Sequence, residues 1–184
     1  MGSKSMTREK PQIRLTTTSY ALLALLEQLG EATSYDIKQA LDKSIENFWP
    51  VPHTTAYEEP ARLAAGGFLS VAQEPGGRRR KSYSLTEEGR QALAAWASEP
   101  VAAPPQLRDE LLLKVFAGAN PFALTAARVD WHRAKLEELR GYLDDVRQGE
   151  GWEPSERTLV AGVAYHEMML ELLGSLGEAE STAS

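Results

Sequence analysis

The chain has 184 residues, 42% hydrophobic and 25% charged, an ordinary balance for a globular protein with enough apolar residues for a buried core. It has no cysteine, which excludes disulfides and thiolate metal sites, and its three histidines, His53, His132 and His166, lack metal-ligand spacing, so no cofactor is expected. The net charge of −6 is uneven: residues 1–101 hold 12 Lys/Arg against 12 Asp/Glu (net 0) and residues 102–184 hold 8 against 14 (net −6), which leaves the first half free to present a basic face.

Residues 1–13 read as a disordered leader, with Gly2-Ser3 in the form of a cloning scar. No apolar run of membrane-spanning length and no signal peptide is read along the chain, so a cytoplasmic protein without a membrane partner is expected. Thr17 and Thr18 are placed to cap a first helix with Leu22, Leu25, Leu26 and Leu29 at helical spacing, ending at Gly30. Thr33 or Ser34 can cap a second helix through Tyr35, Ile37, Ala40, Leu41 and Ile45. That helix is broken by Asn47-Phe48-Trp49-Pro50-Val51-Pro52, since each proline disfavours helix at the residue before it. Phe48 and Trp49 are read as core plugs beneath this connection.

A third helix opens at Thr54 or Thr55, where Thr55-x-x-Glu58 has the form of a capping box. Leu63 and Phe68 are expected to face inward. Phe68 to Gln73 then reads as a strand, Glu74-Pro75-Gly76-Gly77 as a turn and Arg78 to Leu85 as the returning segment of the hairpin, with Tyr83 and Leu85 alternating into the core. The cations Arg78, Arg79, Arg80 and Lys81 sit on this β-hairpin. Four consecutive cations are usually a solvated loop, but three short helices upstream give the order of a winged helix-turn-helix. In that arrangement the third helix meets base edges in the major groove through His53, Thr54, Thr55 and Tyr57, while the hairpin lies along phosphates.

Thr86 opens a further helix carrying Leu93 and Trp96, and a stretch with Pro100, Pro104 and Pro105 ends it and serves as a linker. Beyond it, Asn120-Pro121 is a cap and first-turn proline. Phe122, Val129, Leu136 and Leu143 recur every seven residues, and Thr125, His132, Leu139 and Val146 do so in a second register. After Gly149-Glu150-Gly151 and Pro154-Ser155, another helix carries Leu159, Val163, Leu170 and Leu173 on one face and Tyr165, Met169, Leu172 and Leu176 on the next. Two antiparallel helices bury too little surface alone, so these faces are expected to pair with a second copy, through Phe122, Val129, Leu136, Leu139, Leu143, Leu170 and Leu173. His132 and His166 read as hydrogen-bonded interior groups in preference to pH sensors.

The motifs Thr33-Ser34-Tyr35-Asp36-Ile37, Phe48-Trp49, Tyr57-x-x-x-x-Arg62-Leu63, Gly67-Phe68 and Arg79-Arg80-Lys81-Ser82-Tyr83-Ser84-Leu85-Thr86-Glu87-Glu88-Gly89-Arg90 resemble, in order and spacing, the PadR family of bacterial transcriptional regulators. Arg108 to Phe116 resembles the start of the dimerisation region in its longer members, so the likeness spans about residues 14–176. It implies a mainly α fold with a small β-hairpin: a winged helix-turn-helix domain over 14–101 and a helical dimerisation domain over 102–180. It implies a homodimeric repressor on an inverted-repeat operator in double-stranded DNA, contacted through His53, Thr54, Thr55, Tyr57, Arg62 and the four wing cations. It further implies release by a small apolar or aromatic effector near the dimer interface, for which Trp96, Tyr165 and Met169 are the candidate contacts.

The chain departs from the family where Ala56-Tyr57-Glu58-Glu59-Pro60 replaces the common Ile-Tyr-Pro-Glu-Leu, and where Ser34 stands for a glycine. Pro60 inside the third helix loses a backbone hydrogen bond, so a shortened or bent recognition helix is expected, and Glu58 and Glu59 would repel phosphates. A sensing or sequestering dimer with weakened DNA reading is the alternative. An enzyme is not expected: the chain has no phosphate-cradling glycine loop, nucleophile elbow or acid-base carboxylate pair.

Overall fold

A computed structural model describes residues 11–45, 48–73, 80–150 and 153–178, which fall into two compact units, Met1–Val101 and Ala102–Ser184.

In the first unit α1 (Thr17–Leu29) is capped by Thr16, one residue before the threonines expected to do so. Its Leu22, Leu23, Leu25 and Leu26 are buried and form the centre of the core. Gly30, at φ 73°, turns the chain into β1 (Glu31–Thr33). Thr33 ends this strand and caps α2 (Ser34–Ser44), exchanging hydrogen bonds with Asp36 in a capping box. β1 leaves no mark in the sequence pattern, because three residues are too few for an alternation to register. The sheet is therefore three-stranded and antiparallel in the order β1-β3-β2, with β2 at Leu69–Gln73 and β3 at Lys81–Leu85. Tyr83 pairs with Ala32 on one side and Val71 on the other, and with Leu85 it points into the core.

The helix after the hairpin, α4 (Glu87–Ala97), starts under tight constraint. The Thr86 amide donates to the Phe68 carbonyl (3.1 Å) and the Thr86 hydroxyl to the Gly67 carbonyl (2.7 Å). A Cβ on Gly89 would lie 2.2 Å from the Phe68 oxygen, so only glycine lets α4 meet the head of β2. Phe48 and Trp49 are not core plugs. They are 56% and 41% exposed, because Ile45 and Val51 already fill the space beneath the connection and both amides bond back to the Ile45 carbonyl. Ile13, read as leader, packs on the core beside Gly66.

The second unit contains α5 (Glu110–Phe116), α6 (Pro121–Asp145), a π-helical turn at Val146–Glu150 with Gly149 at φ 88°, and α7 (Glu153–Glu178). Asp109 caps α5 through the Leu111 amide and takes a bidentate pair from Arg128 of α6, both contacts at 3.0 Å. The long helices α6 and α7 form a hairpin around Leu139, Leu143 and Leu159. Contrary to the expectation of no apolar run of that length, Glu156–Leu176 of α7 is long and apolar enough, by length and composition alone, to cross a membrane. Two of its four charged residues make exposed ion pairs: Glu167 with Arg140 (2.7 Å) and Glu156 with Arg147 (3.0 Å).

Candidate nucleic-acid interface

The helix α3 (Thr55–Ala65) follows α2 across the short connection. Its first turn begins earlier than the capping box required. Thr54 is already helical and makes no side-chain cap, and its carbonyl accepts from the Tyr57 and Glu58 amides at 3.1 Å. Thr55 is thus inside the helix, where its hydroxyl cannot act as an N-cap. Ala56, Pro60 and Leu63 form the buried face, while Thr54, Tyr57 and Glu58 are exposed. His53 is exposed too and lies against Tyr57, ring centres 6.5 Å apart. The outward side of the N-terminal half is therefore polar and aromatic, with Thr55 half-buried at its edge.

Two expectations about α3 need correction. The helix is not shortened at Pro60 but runs on to Ala65, the proline ring lying wholly within the core face. Arg62, expected at DNA, turns towards α1: its Nε and Nη2 donate to Glu59 at 2.7 and 2.5 Å, Nη2 also to Ser19 Oγ at 2.9 Å, and Nη1 to the Arg14 carbonyl at 3.1 Å. Glu59 is withdrawn further from the surface than Arg62, which stays about a third exposed, and accepts from Ser19 Oγ at 2.6 Å. Burial pushes its carboxyl up, but the hydrogen bonds from Arg62 and Ser19 and the guanidinium charge outweigh burial and hold it below the ordinary range. The i, i+3 spacing of Glu59 and Arg62 was a visible signal for this pair. Ser19, 40 residues away, gave none.

Of the four wing cations, Arg80 and Lys81 are described and exposed; Arg78 and Arg79 lie outside the described residues. Arg80 and Lys81 line a groove with Thr33, Ser34, Tyr35 and Asp36 at the start of α2. The Thr33 hydroxyl and amide hold the Asp36 carboxyl below its ordinary value, and the Arg80 charge adds to the effect.

The candidate effector contacts fall in different units, Trp96 in the first and Tyr165 and Met169 in the second. In the first unit Trp96 stacks on Tyr20, 4.7 Å apart and nearly parallel, so its face is occupied by packing. In the second, Met169 is 3% exposed and Tyr165 borders the rings of His132 and His166. An open groove of that unit is lined by Glu110, Leu111, Lys114, Leu124, Ala127, Arg128 and Trp131.

The dimerisation set divides as well. Leu136, Leu139, Leu143 and Leu173 are buried within the chain's own unit, because α7 fills the side of α6 that the heptads assigned to a second copy. Val129 and Leu170 are half-buried and Phe122 is exposed. Leu113, Phe116, Trp131, Val160 and Met168 are also exposed, so large apolar area remains outside the hairpin.

Residues 22–95 match the model of the transcriptional regulator PadR-like family. The negative transcriptional regulator PadR of Bacillus subtilis (strain 168) is 30% identical over 129 residues, 66% of this chain and 70% of that protein. The chain belongs to the PadR-like family. It is a PadR-like transcriptional regulator, and the match with the family model covers α2, α3 and the wing. The fold agrees with this: the crystal structure of B. subtilis PadR in complex with operator DNA superposes with a TM-score of 0.77, at 23% identity over 91% of this chain and 99% of that one. B. subtilis PadR in complex with p-coumaric acid gives 0.70, at 22% identity over 89% and 98%. Winged PadR-like architecture accounts for both the cationic hairpin and the appended helices.

Proposed function

We propose that this PadR-like regulator is a cytoplasmic homodimeric repressor that binds an inverted-repeat operator, with α3 of each copy reading one half-site and each wing holding phosphate. The observation that carries this reading is the pairing, within one unit, of an exposed polar helix start at His53, Thr54 and Tyr57 with exposed wing cations at Arg80 and Lys81. Two-fold symmetry of the protein implies two-fold symmetry of the site. The large apolar side chains left outside the hairpin, Phe116 and Phe122 among them, supply the surface for the second copy. A small aromatic acid is the effector class, since B. subtilis PadR has been crystallised with p-coumaric acid. The effector acts only by binding two conformations unequally. Its role is regulatory, with no catalytic step. The sequestering alternative loses its main grounds, because Glu59 turns inward and α3 keeps its length.

The wing tests this reading. Arg80→Ala with Lys81→Ala should weaken binding to every duplex and flatten the dependence of log affinity on log salt by about 0.9 per lost phosphate contact. An unchanged salt slope would remove the wing from the mechanism.

A further inference from the structure

Ser19, Glu59 and Arg62 form a closed hydrogen-bonded ring between α1 and α3. Ser19 is fully buried, and its one hydroxyl proton goes to Glu59 Oε1 at 2.6 Å while its oxygen accepts from Arg62 and from the Thr16 amide. Glu59 answers the guanidinium with both oxygens, a fork-to-fork pair that fixes direction as well as distance. The Glu59 side chain is only 12% exposed. Arg62 then reaches past α1 to the Arg14 carbonyl, so the chain preceding α1 is fastened to the same point.

This ring sits where α3 is weakest. Pro60 has no N–H for the Ala56 carbonyl, which removes one bond of the helical ladder in the middle of the element. Glu59 and Arg62 straddle that gap and tie it to the most buried helix of the unit. Resting on the DNA-reading function proposed above, we propose that Ser19, Glu59 and Arg62 are positioning residues for sequence discrimination: they set how α3 presents His53, Thr54 and Tyr57, and they keep the Arg62 charge from contributing to sequence-independent affinity. Glu59, the carboxylate that looks hostile to DNA in the sequence, is thereby an internal strut.

The test compares affinity for the genomic fragment most enriched by the wild-type protein with affinity for a random duplex of equal length, across a salt series. For Arg62→Lys, affinity for the enriched fragment should fall about tenfold while random-duplex affinity holds within about twofold and the salt slope is unchanged; Glu59→Ala should lose the same discrimination and, by freeing the Arg62 charge, raise random-duplex affinity and steepen the slope by up to about 0.9. Arg62→Lys keeps the charge but not the fork, so it separates geometry from charge and serves if Glu59→Ala does not fold. Glu59→Ala with Arg62→Ala should be no worse than either alone, as expected for one shared interaction. The lock is overturned if Arg62→Ala lowers the slope by about one and weakens both duplexes equally, the signature of a phosphate ligand. It is also overturned if the discrimination ratio is unmoved in both single variants. A wild-type protein that enriches no fragment overturns the DNA reading itself, a result distinct from either.

Discussion

Pro60 shows how a single residue can be legible and still be misjudged. Its chemistry is plain in the sequence: it removes one backbone donor and crowds the preceding turn. What the sequence did not show is that position 60 lies on the core face with Ala56 and Leu63, where burial of the ring and the Ser19-Glu59-Arg62 ring hold the helix through the defect. Glu59 was misjudged for the same reason, since its partner Ser19 is distant along the chain. Pro60→Leu, which installs the residue the family commonly carries there, restores the missing donor. It should raise stability by about 2–3 kcal/mol, visible as a higher melting temperature. A lower melting temperature would mean that the proline's packing outweighs the bond it forfeits.

At the scale of elements, the sequence defined helices better than it defined what each helix touches. The heptads of α6 were real, but a seven-residue repeat does not say whether the facing helix comes from a second copy or from the same chain, and here α7 takes Leu139 and Leu143. β1 was too short to read, and α5 became visible only through the family resemblance. The meeting of His132 and His166 was also beyond the pattern, although both were expected inside. Their Nδ1 atoms lie 2.8 Å apart and His132 Nε2 is buried without a partner among the described residues. One proton serves the contact, and placing it on His132 Nδ1 leaves a bare Nε2 in the core, cheaper than a buried N–H with no acceptor.

Burial lowers the pKa of both imidazoles, and repulsion from His166 and Arg128 adds to this at His132, against the opposing charge of Asp109; Lys135 adds to it at His166. Folded values below the ordinary 6.5 mean that the unfolded chain binds more protons in acid. The contribution of this pair is therefore complete above about pH 6.5 and lost as pH falls through the lowered folded values. Denaturant midpoints of the α6–α7 unit should fall between pH 7 and 5 and do so much less in His132→Leu with His166→Leu. Parallel curves for the two proteins would assign the acid sensitivity elsewhere.

At the scale of the molecule, charge and surface divide between the two units. The first carries no net charge and exposes Arg80 and Lys81 at its wing; the second carries all six excess negative charges and exposes Phe116, Phe122 and Trp131. That division matches one unit made for a polyanion and one made for another copy of itself. It was readable from the charge tally because charge position survives in sequence, whereas the identity of an effector does not. The most direct test is sedimentation velocity of the purified chain, alone and titrated with its most enriched genomic fragment. The account predicts a dimer in free solution and two chains on each fragment, with no complex of similar affinity on random duplex. A monomer in both settings, or equal binding to both duplexes, would contradict it.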